Sequence, residues 1–179
     1  MIWPSREAER TMTCKAAIVE MTPVGWVRSS RRAAVDDDWD SVAAEIELDG
    51  DRFTADALTG LHEFSHVEVI FVFDQLPLDE VTYGARHPRG NPLWPTVGIF
   101  AQRARYRPNR LGSTVCRILA VRGLIISLVG LDAIDGTPVL DLKPYMEEFG
   151  PRGRIYQPEW SHLLMAEYWS TPGTPPRES

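Results

Sequence analysis

Two segments of the chain carry side chains suited to binding a small charged ligand. From Val97 to Gly112 a short apolar run leads into an arginine-rich loop that closes on Arg-Pro-Asn. Guanidinium groups form paired hydrogen bonds with carboxylates and phosphates. From Leu131 to Tyr145 a polar turn leads into a predicted strand with Asp141 and Lys143 on one face. Groups of both signs facing one cavity would suit a zwitterionic ligand that carries a ribose and an adenine.

Positive charge is concentrated around the first segment. No Asp or Glu occurs between Val81 and Leu131, and eight arginines lie there, whereas an acidic run extends from Asp36 to Asp51. Blocks of this kind can steer a phosphate-bearing ligand to one side of a molecule. Alternatively, arginine is simply the preferred cation, since lysine occurs only at Lys15 and Lys143. The net charge of −6 and the pI of about 5.2 argue against nonspecific coating of nucleic acid.

The sequence His62-Glu63-Phe64-Ser65-His66 fits the zincin pattern, in which two histidines one helical turn apart bind zinc. That chemistry requires all five residues on one helix. His66 instead runs directly into the β-branched and aromatic stretch Val67–Phe73, which predicts a central strand. We therefore expect no metal site here.

Other catalytic classes have little support. No two glycines are separated by a single residue, so neither a dinucleotide fingerprint nor a P-loop is present. Ser65 lacks the flanking glycines of a nucleophile elbow, and Cys116 lies within a predicted strand. The two cysteines, Cys14 and Cys116, cannot build a disulfide framework, which fits a reducing compartment.

The 179 residues predict one domain that is mainly β, because several short apolar strands separated by turns are typical of a small antiparallel barrel. Short helices are expected at Thr54–Leu61 and after Pro158, where Trp160, Leu163, Leu164 and Tyr168 recur at helical spacing. We expect a disordered extension at 1–15, the barrel at 16–150, a helical extension at 151–169 and a disordered Pro-rich tail at 170–179. No signal peptide or membrane-spanning run is evident, which predicts a cytoplasmic protein.

Five short stretches resemble, in order, the TsaA-like or TrmO-type family of β-barrel methyltransferases. The matching pieces are residues 23–29, residues 60–66, His87-Pro88-Arg89-Gly90, residues 97–112 and residues 131–145. The resemblance covers most of residues 22 to 150. It implies a small antiparallel β-barrel, S-adenosylmethionine bound without a Rossmann fold, and a homodimer with the cofactor site near the subunit boundary.

By matching position, the resemblance also implies site residues. The implied cofactor contacts are Ser29, Ser30, Arg31, Ser65, His66, Arg103, Ser113, Asp135, Gly136, Thr137 and Pro138. The side chains expected to bind the methyl acceptor are Arg86, Arg89, Arg105, Arg107, Asn109 and Lys143. Candidates for the proton acceptor are Asp141, Tyr145 and His66, and the sequence leaves the choice open.

The implied reaction is methyl transfer to N6 of threonylcarbamoyladenosine in tRNA, beside the anticodon. Such a transfer is an in-line displacement, so the protein mainly aligns the reactants and excludes water. Two alternatives remain open: methylation of a small molecule, which the acidic pI permits, and a noncatalytic S-adenosylmethionine-binding regulatory module.

Overall fold

The computed structural model describes residues 18–169, and six of their strands close into an antiparallel barrel in the order β1-β2-β7-β6-β3-β8. The strands are β1 (Gly25–Ser29), β2 (Ala43–Leu48), β3 (His66–Val72), β4 (Ala85–Arg86), β5 (Val97–Gly98), β6 (Leu111–Arg122), β7 (Ile125–Val129) and β8 (Pro138–Pro144). The one α-helix of the described residues is α1 (Glu159–Met165). Six 3₁₀ turns span Ala55–Leu58, Leu61–Glu63, Leu78–Glu80, Pro88–Gly90, Ile99–Ala101 and Glu147–Phe149. The predicted mainly β barrel is confirmed.

Alternation along the strands fills the barrel. Val67, Val69 and Phe71 of β3 are fully buried, while the residues between them point outward. Since successive strand residues face opposite sides, one apolar set builds the core and the other set is free to line a site on the outer surface.

Phe71 has space in the barrel because its cross-strand partner is Gly112. A Cβ atom on Gly112 would lie 2.4 Å from the Phe71 ring, which is far inside van der Waals contact. The aromatic ring therefore occupies the space that a side chain at position 112 would need.

The chain between β3 and β6 forms a loop region rather than part of the barrel. The predicted strand at Val97 stops at Gly98, and the backbone turns into a 3₁₀ helix. The amide of the buried Gln102 donates from Nε2 to the carbonyls of Arg86 (3.1 Å) and Val97 (2.9 Å), which joins this turn to the β4–β5 hairpin. A hydrogen-bonded frame thus positions the arginines.

Two helix predictions need correction. Residues 54–61 form no continuous helix, because Gly60 adopts a left-handed conformation (φ 83°) and separates two 3₁₀ turns. The predicted helix after Pro158 is present as α1, but Leu163 is 59% exposed. Of the four apolar residues predicted to recur at helical spacing, Trp160, Leu164 and Tyr168 line the cleft beside the barrel. Trp160 and Leu164 are four residues apart within α1 and therefore lie on the same side of the helix, and Tyr168 follows after the helix has ended.

Some predictions fall outside the described residues. The disorder expected at 1–15 and at 170–179 lies there, as does Cys14. Within residues 18–169, no helix is both long enough and apolar enough to span a bilayer.

Candidate active site

A broad cleft of about 1770 Å³ lies against the outward faces of β3 and β6. The arginine loop, the acidic loop at residues 34–40, the segment 132–137 and the C-terminal residues from Gln157 onward supply its other walls. Nine of the residues that the sequence singles out line it: His66, Arg86, Arg89, Arg103, Arg105, Arg107, Ser113, Thr137 and Tyr145. The structure thus brings these nine residues, from His66 on β3 to Tyr145 after β8, to one site.

The turn after β1 and the turn before β8 are hydrogen-bonded together. The backbone amide of Ser29 donates to Asp135 Oδ1 (3.1 Å), and the amide of Asp135 donates to the carbonyl of Arg31 (2.8 Å). The amide of Gly136 donates to Val27 in the same ladder (2.8 Å). Two predicted cofactor-binding stretches, 29–31 and 135–138, therefore form one structural unit. Thr137, which is buried, connects this unit to the cleft.

Arg31 stabilises a loop. Its guanidinium donates to the carbonyls of Val35, Asp37 and Asp38 and lies 3.7 Å from the ring centre of Trp39. The side chain therefore holds the acidic loop against the barrel. Its predicted contact to a cofactor stays a prediction.

Arg103 and Ser113 meet on the outer face of β6. The Arg103 guanidinium donates to the backbone carbonyl of Ser113, and the Ser113 hydroxyl donates to Glu68 Oε1 (2.6 Å). Glu68 lies on β3 directly across from Val115. A cation, a hydroxyl and a carboxylate are thus fixed side by side on the floor of the cleft.

The three proposed proton acceptors have different surroundings. His66 lines the cleft, and its Nδ1 lies 2.8 Å from the Ser65 hydroxyl, which leaves Nε2 available. Tyr145 also lines the cleft, and its backbone amide donates to the carbonyl of His66 (3.0 Å). Asp141 instead pairs with Lys143, and neither side chain lines the cleft, so the cavity that both were expected to face does not include them. That hydrogen bond raises the pKa of the Lys143 ammonium.

Most of the predicted acceptor-binding arginines already have partners. Arg89 forms a two-pronged pair with Asp37 (2.7 and 3.2 Å), and Arg107 donates to the carbonyl of Gln102. Arg86 and Arg105 both lie on the ring of Tyr106, at 4.1 and 5.1 Å. A hydrogen bond from Arg105 to the Tyr106 hydroxyl also raises the pKa of that guanidinium.

Asn109 is exposed in the predicted turn, where the Arg110 amide donates to the carbonyl of Arg107 (2.9 Å). Ser30 lines a separate small hollow beside β2 and β7. Neither residue borders the main cleft.

Sequence reasoning missed a polar group in the cleft. Asp132 Oδ2 accepts from the Tyr168 hydroxyl (2.5 Å), and Oδ1 accepts from the Thr114 hydroxyl. Burial, followed by the neighbouring Asp132 charge, raises the pKa of Tyr168. Asp132 stands in the second predicted segment, but no sequence pattern pairs it with a tyrosine 36 residues away.

His62 and His66 do not share a helix. His62 belongs to the 3₁₀ turn Leu61–Glu63, whereas His66 begins β3. Within residues 18–169, no group of three or more His, Cys, Asp or Glu side chains could hold a metal ion.

The fold is a closed six-stranded barrel, and the candidate site is a cleft on the outer face of that barrel. This class of protein differs from the Rossmann enzymes, in which the ligand lies at the carboxyl ends of parallel strands. Residues 34–150 match the family of the tRNA-methyltransferase O N-terminal domain. The chain belongs to that family.

Particular relatives are similar to this chain in sequence. The tRNA (adenine(37)-N6)-methyltransferase of Escherichia coli is 38% identical over 112 residues, 59% of this chain and 46% of that enzyme. The mouse enzyme of the same name is 38% identical over 62% of this chain, but over only 25% of its own length. A protein from Methanothermobacter thermautotrophicus, named as a probable S-adenosyl-L-methionine-binding protein, is 37% identical over 75% of this chain and 96% of its own.

A crystal structure of TrmO from Pseudomonas aeruginosa is similar in fold. Its TM-score is 0.60 and its identity 30%, and the match covers 74% of this chain and 58% of that one. The chain thus spans less than half the length of the E. coli and mouse enzymes and almost the full length of the archaeal protein.

Proposed function

We propose that this protein is an S-adenosylmethionine-dependent methyltransferase that acts on N6 of threonylcarbamoyladenosine in tRNA, beside the anticodon. The family match over residues 34–150, combined with the convergence of nine predicted site residues on one cleft, supports the proposal. A tRNA substrate implies that the protein acts in the cytoplasm.

The side chains present fit the proposed cofactor. S-adenosylmethionine carries a carboxylate, an ammonium, a sulfonium and ribose hydroxyls, so a site for it needs groups of both signs. Arg103, held on the backbone carbonyl of Ser113, provides a guanidinium, and Glu68 provides a carboxylate that accepts from the Ser113 hydroxyl. When bound, S-adenosylmethionine supplies an electrophilic methyl group. We infer that these residues hold it together with His66 and Thr137, which line the same cleft. The contacts expected from Ser29–Arg31, Ser65, Asp135, Gly136 and Pro138 stay predictions, since Ser29 and Ser30 line a separate hollow.

His66 is our first candidate for the proton acceptor. Transfer to the acceptor nitrogen releases the proton of that nitrogen, and imidazole changes charge near neutral pH. His66 lines the cleft with Nε2 available, whereas Asp141 lies outside the lining and is paired with Lys143. Tyr145 is the second candidate, since it borders the cleft next to His66.

We also propose a homodimer, supported by an apolar stripe on the barrel exterior. Leu111, Val115 and Leu119 of β6 are 38%, 42% and 49% exposed, and Ile125 on the adjacent β7 is 37% exposed. The three β6 side chains share one outward face, with Ser113 and Arg117 between them, and exposed apolar side chains grouped on one face often mark an interface between chains. The stripe adjoins the cleft, which Leu111 and Val115 also line.

The decisive experiment combines the protein with methyl-labelled S-adenosylmethionine and total tRNA from cells lacking this methylation, followed by mass spectrometry of the nucleosides. N6-methylated threonylcarbamoyladenosine is the expected product. His66→Ala should reduce the rate of transfer far more than it weakens cofactor binding, and Asp141→Asn, outside the cleft lining, serves as the matched control. Cofactor binding without label in tRNA would refute the tRNA substrate.

A second candidate function, methylation of a small anionic molecule, is favoured by the arginine contacts. The charge of Arg89 is offset by its ion pair with Asp37, which leaves one cation fewer for a polyanion. Arg107 keeps its charge, but its hydrogen bond to the carbonyl of Gln102 restricts where the guanidinium can point. In this case label appears in a small-molecule extract and tRNA does not compete.

A further inference from the structure

The C-terminal segment 159–169 lies beyond the family match at 34–150 but borders the same cleft as Arg103 and Ser113. Its cleft-lining residues are mostly aromatic or apolar: Trp160, Leu164, Met165, Tyr168 and Trp169. Residues outside the matched family domain thus form part of the lining of the candidate site.

Three hydrogen bonds attach this segment to two loops of the barrel. The Tyr168 hydroxyl donates to Asp132 Oδ2 (2.5 Å). The backbone amide of Trp39 donates to the carbonyl of Tyr168 (3.1 Å), and the amide of Asp38 donates to that of Glu167 (3.3 Å). Tyr168 in turn packs edge-to-face on Trp169, with ring centres 4.9 Å apart. These contacts fix Tyr168, and through its ring Trp169, against the folded barrel.

Another part of the cleft lining carries positive charge. Arg86 and Arg105 border the cleft and are held there on Tyr106. A cleft lined by both half-buried indoles and guanidinium groups matches a nucleotide, because aromatic side chains stack on bases and arginines bind phosphates. S-adenosylmethionine has an adenine but no phosphate, so this pairing favours the acceptor as the ligand.

We propose that Trp160 and Trp169 form a stacking wall for the adenine ring of the methyl acceptor, and that Tyr168 is a positioning residue that holds this wall through Asp132. This inference rests on the proposed function and specifies how its substrate is chosen. The wall selects a planar base, while Arg86 and Arg105 select the attached phosphate.

The test replaces each indole by a side chain with or without an aromatic face. Trp160→Leu and Trp169→Leu keep an apolar group but lose the ring, and each should raise KM for tRNA about 10-fold, a typical loss for one stacked base. Trp160→Phe and Trp169→Phe should restore most of the affinity. Leu163→Ala, on the exposed side of α1, is the control and should change nothing.

Tyr168→Phe keeps the ring and removes only the hydroxyl. It should raise KM for tRNA with little change in kcat, and it should expose the segment after Pro158 to limited proteolysis. A lower kcat at unchanged KM would contradict the positioning role.

Two binding measurements separate the sources of the adenine. Quenching of tryptophan fluorescence by adenosine monophosphate should be lost in the double Trp→Leu variant, while calorimetric S-adenosylmethionine affinity stays within about two-fold. Weakened cofactor binding at unchanged tRNA KM would assign the wall to the cofactor and overturn the proposal. Active enzyme with unchanged KM in the Leu variants would overturn it while leaving the proposed function intact. Absence of methyl transfer in the wild type, with quenching retained, would refute the proposed function alone.

Discussion

The backbone amide of Ser29 donates to the side chain of Asp135 at 3.1 Å and so joins two turns that are 106 residues apart in the sequence. Both turns belong to the predicted cofactor-binding set. A second hydrogen bond between them runs from the Asp135 amide to the Arg31 carbonyl. Arg32 adds only a longer ion pair to Asp135 (3.7 Å) and is 84% exposed. The carboxylate of Asp135 therefore orders this part of the candidate site.

Asp135→Ala should weaken S-adenosylmethionine binding about 10-fold, because it leaves the Ser29 amide without its acceptor and loosens both turns. Asp135→Asn retains an acceptor oxygen and should recover most of the affinity. Arg32→Ala is the matched control, since an exposed ion pair contributes little. Calorimetry measures all three, and equal affinity in the Ala variant would contradict the ordering role.

Arg103→Ala should also reduce cofactor affinity, since it removes the guanidinium beside Ser113 and Glu68. We expect binding by the wild type to be saturable and to survive a chelator. Arg122→Ala, at the far end of β6, should bind normally. Stoichiometric zinc that is lost together with activity would contradict a metal-independent site and revive the zincin interpretation of His62 and His66.

Salt dependence separates the two candidate substrates. If arginines neutralise tRNA phosphates, log affinity should fall with log salt by about 0.7 to 0.9 per contact. Arg86→Ala and Arg105→Ala should each reduce this slope by about one unit. Arg89→Ala should change it less, because Arg89 already pairs with Asp37. A shallow slope and no competition by tRNA would favour the small anionic substrate.

Cys116 should be chemically inert in the folded protein. It is fully buried, and burial, followed by the charge of Asp132, raises the pKa of its thiol. In a Cys14→Ser background, a thiol reagent at pH 8 should label Cys116 only after denaturation. Rapid labelling of the native protein would contradict the structure.

The same thiol predicts a pH effect on stability. The folded pKa lies above the unfolded one, so the unfolded state alone loses its proton as pH rises past about 9. The free energy of unfolding should then fall by up to about 1.4 kcal/mol per pH unit from this group. Cys116→Ala should flatten the decline between pH 9 and 10, as measured by denaturant unfolding.

Light scattering at micromolar concentration should give the mass of a dimer. Val115→Glu, within the apolar stripe of β6, should shift the protein toward the monomer, while Leu163→Glu on the exposed side of α1 should not. A monomeric wild type that still binds the cofactor would remove the homodimer from the proposal.

Local chemistry in the sequence was enough to predict the mainly β barrel, whereas the composition of its site stays a prediction. Strand alternation in Val67–Phe73 follows from the two-residue period of a β-strand, and Val67, Val69 and Phe71 are indeed buried. The separation of His62 and His66 into two different elements was also predictable, because the β-branched run that follows His66 favours a strand over a helix. Local sequence did not predict the break at Gly60, since the left-handed conformation there was one of several open to a glycine.

Pairings over long distances were decided only by the tertiary structure. Barrel closure brings Ser29 to Asp135, and the return of the chain after α1 brings Tyr168 to Asp132. Arg31 and Arg89 both bind the acidic loop, so whether their guanidinium groups can reach a ligand depends on where that loop packs. A sequence lists which donors and acceptors exist, but which of them meet depends on strand register and loop docking. These arise from the burial of the whole core rather than from any local pattern.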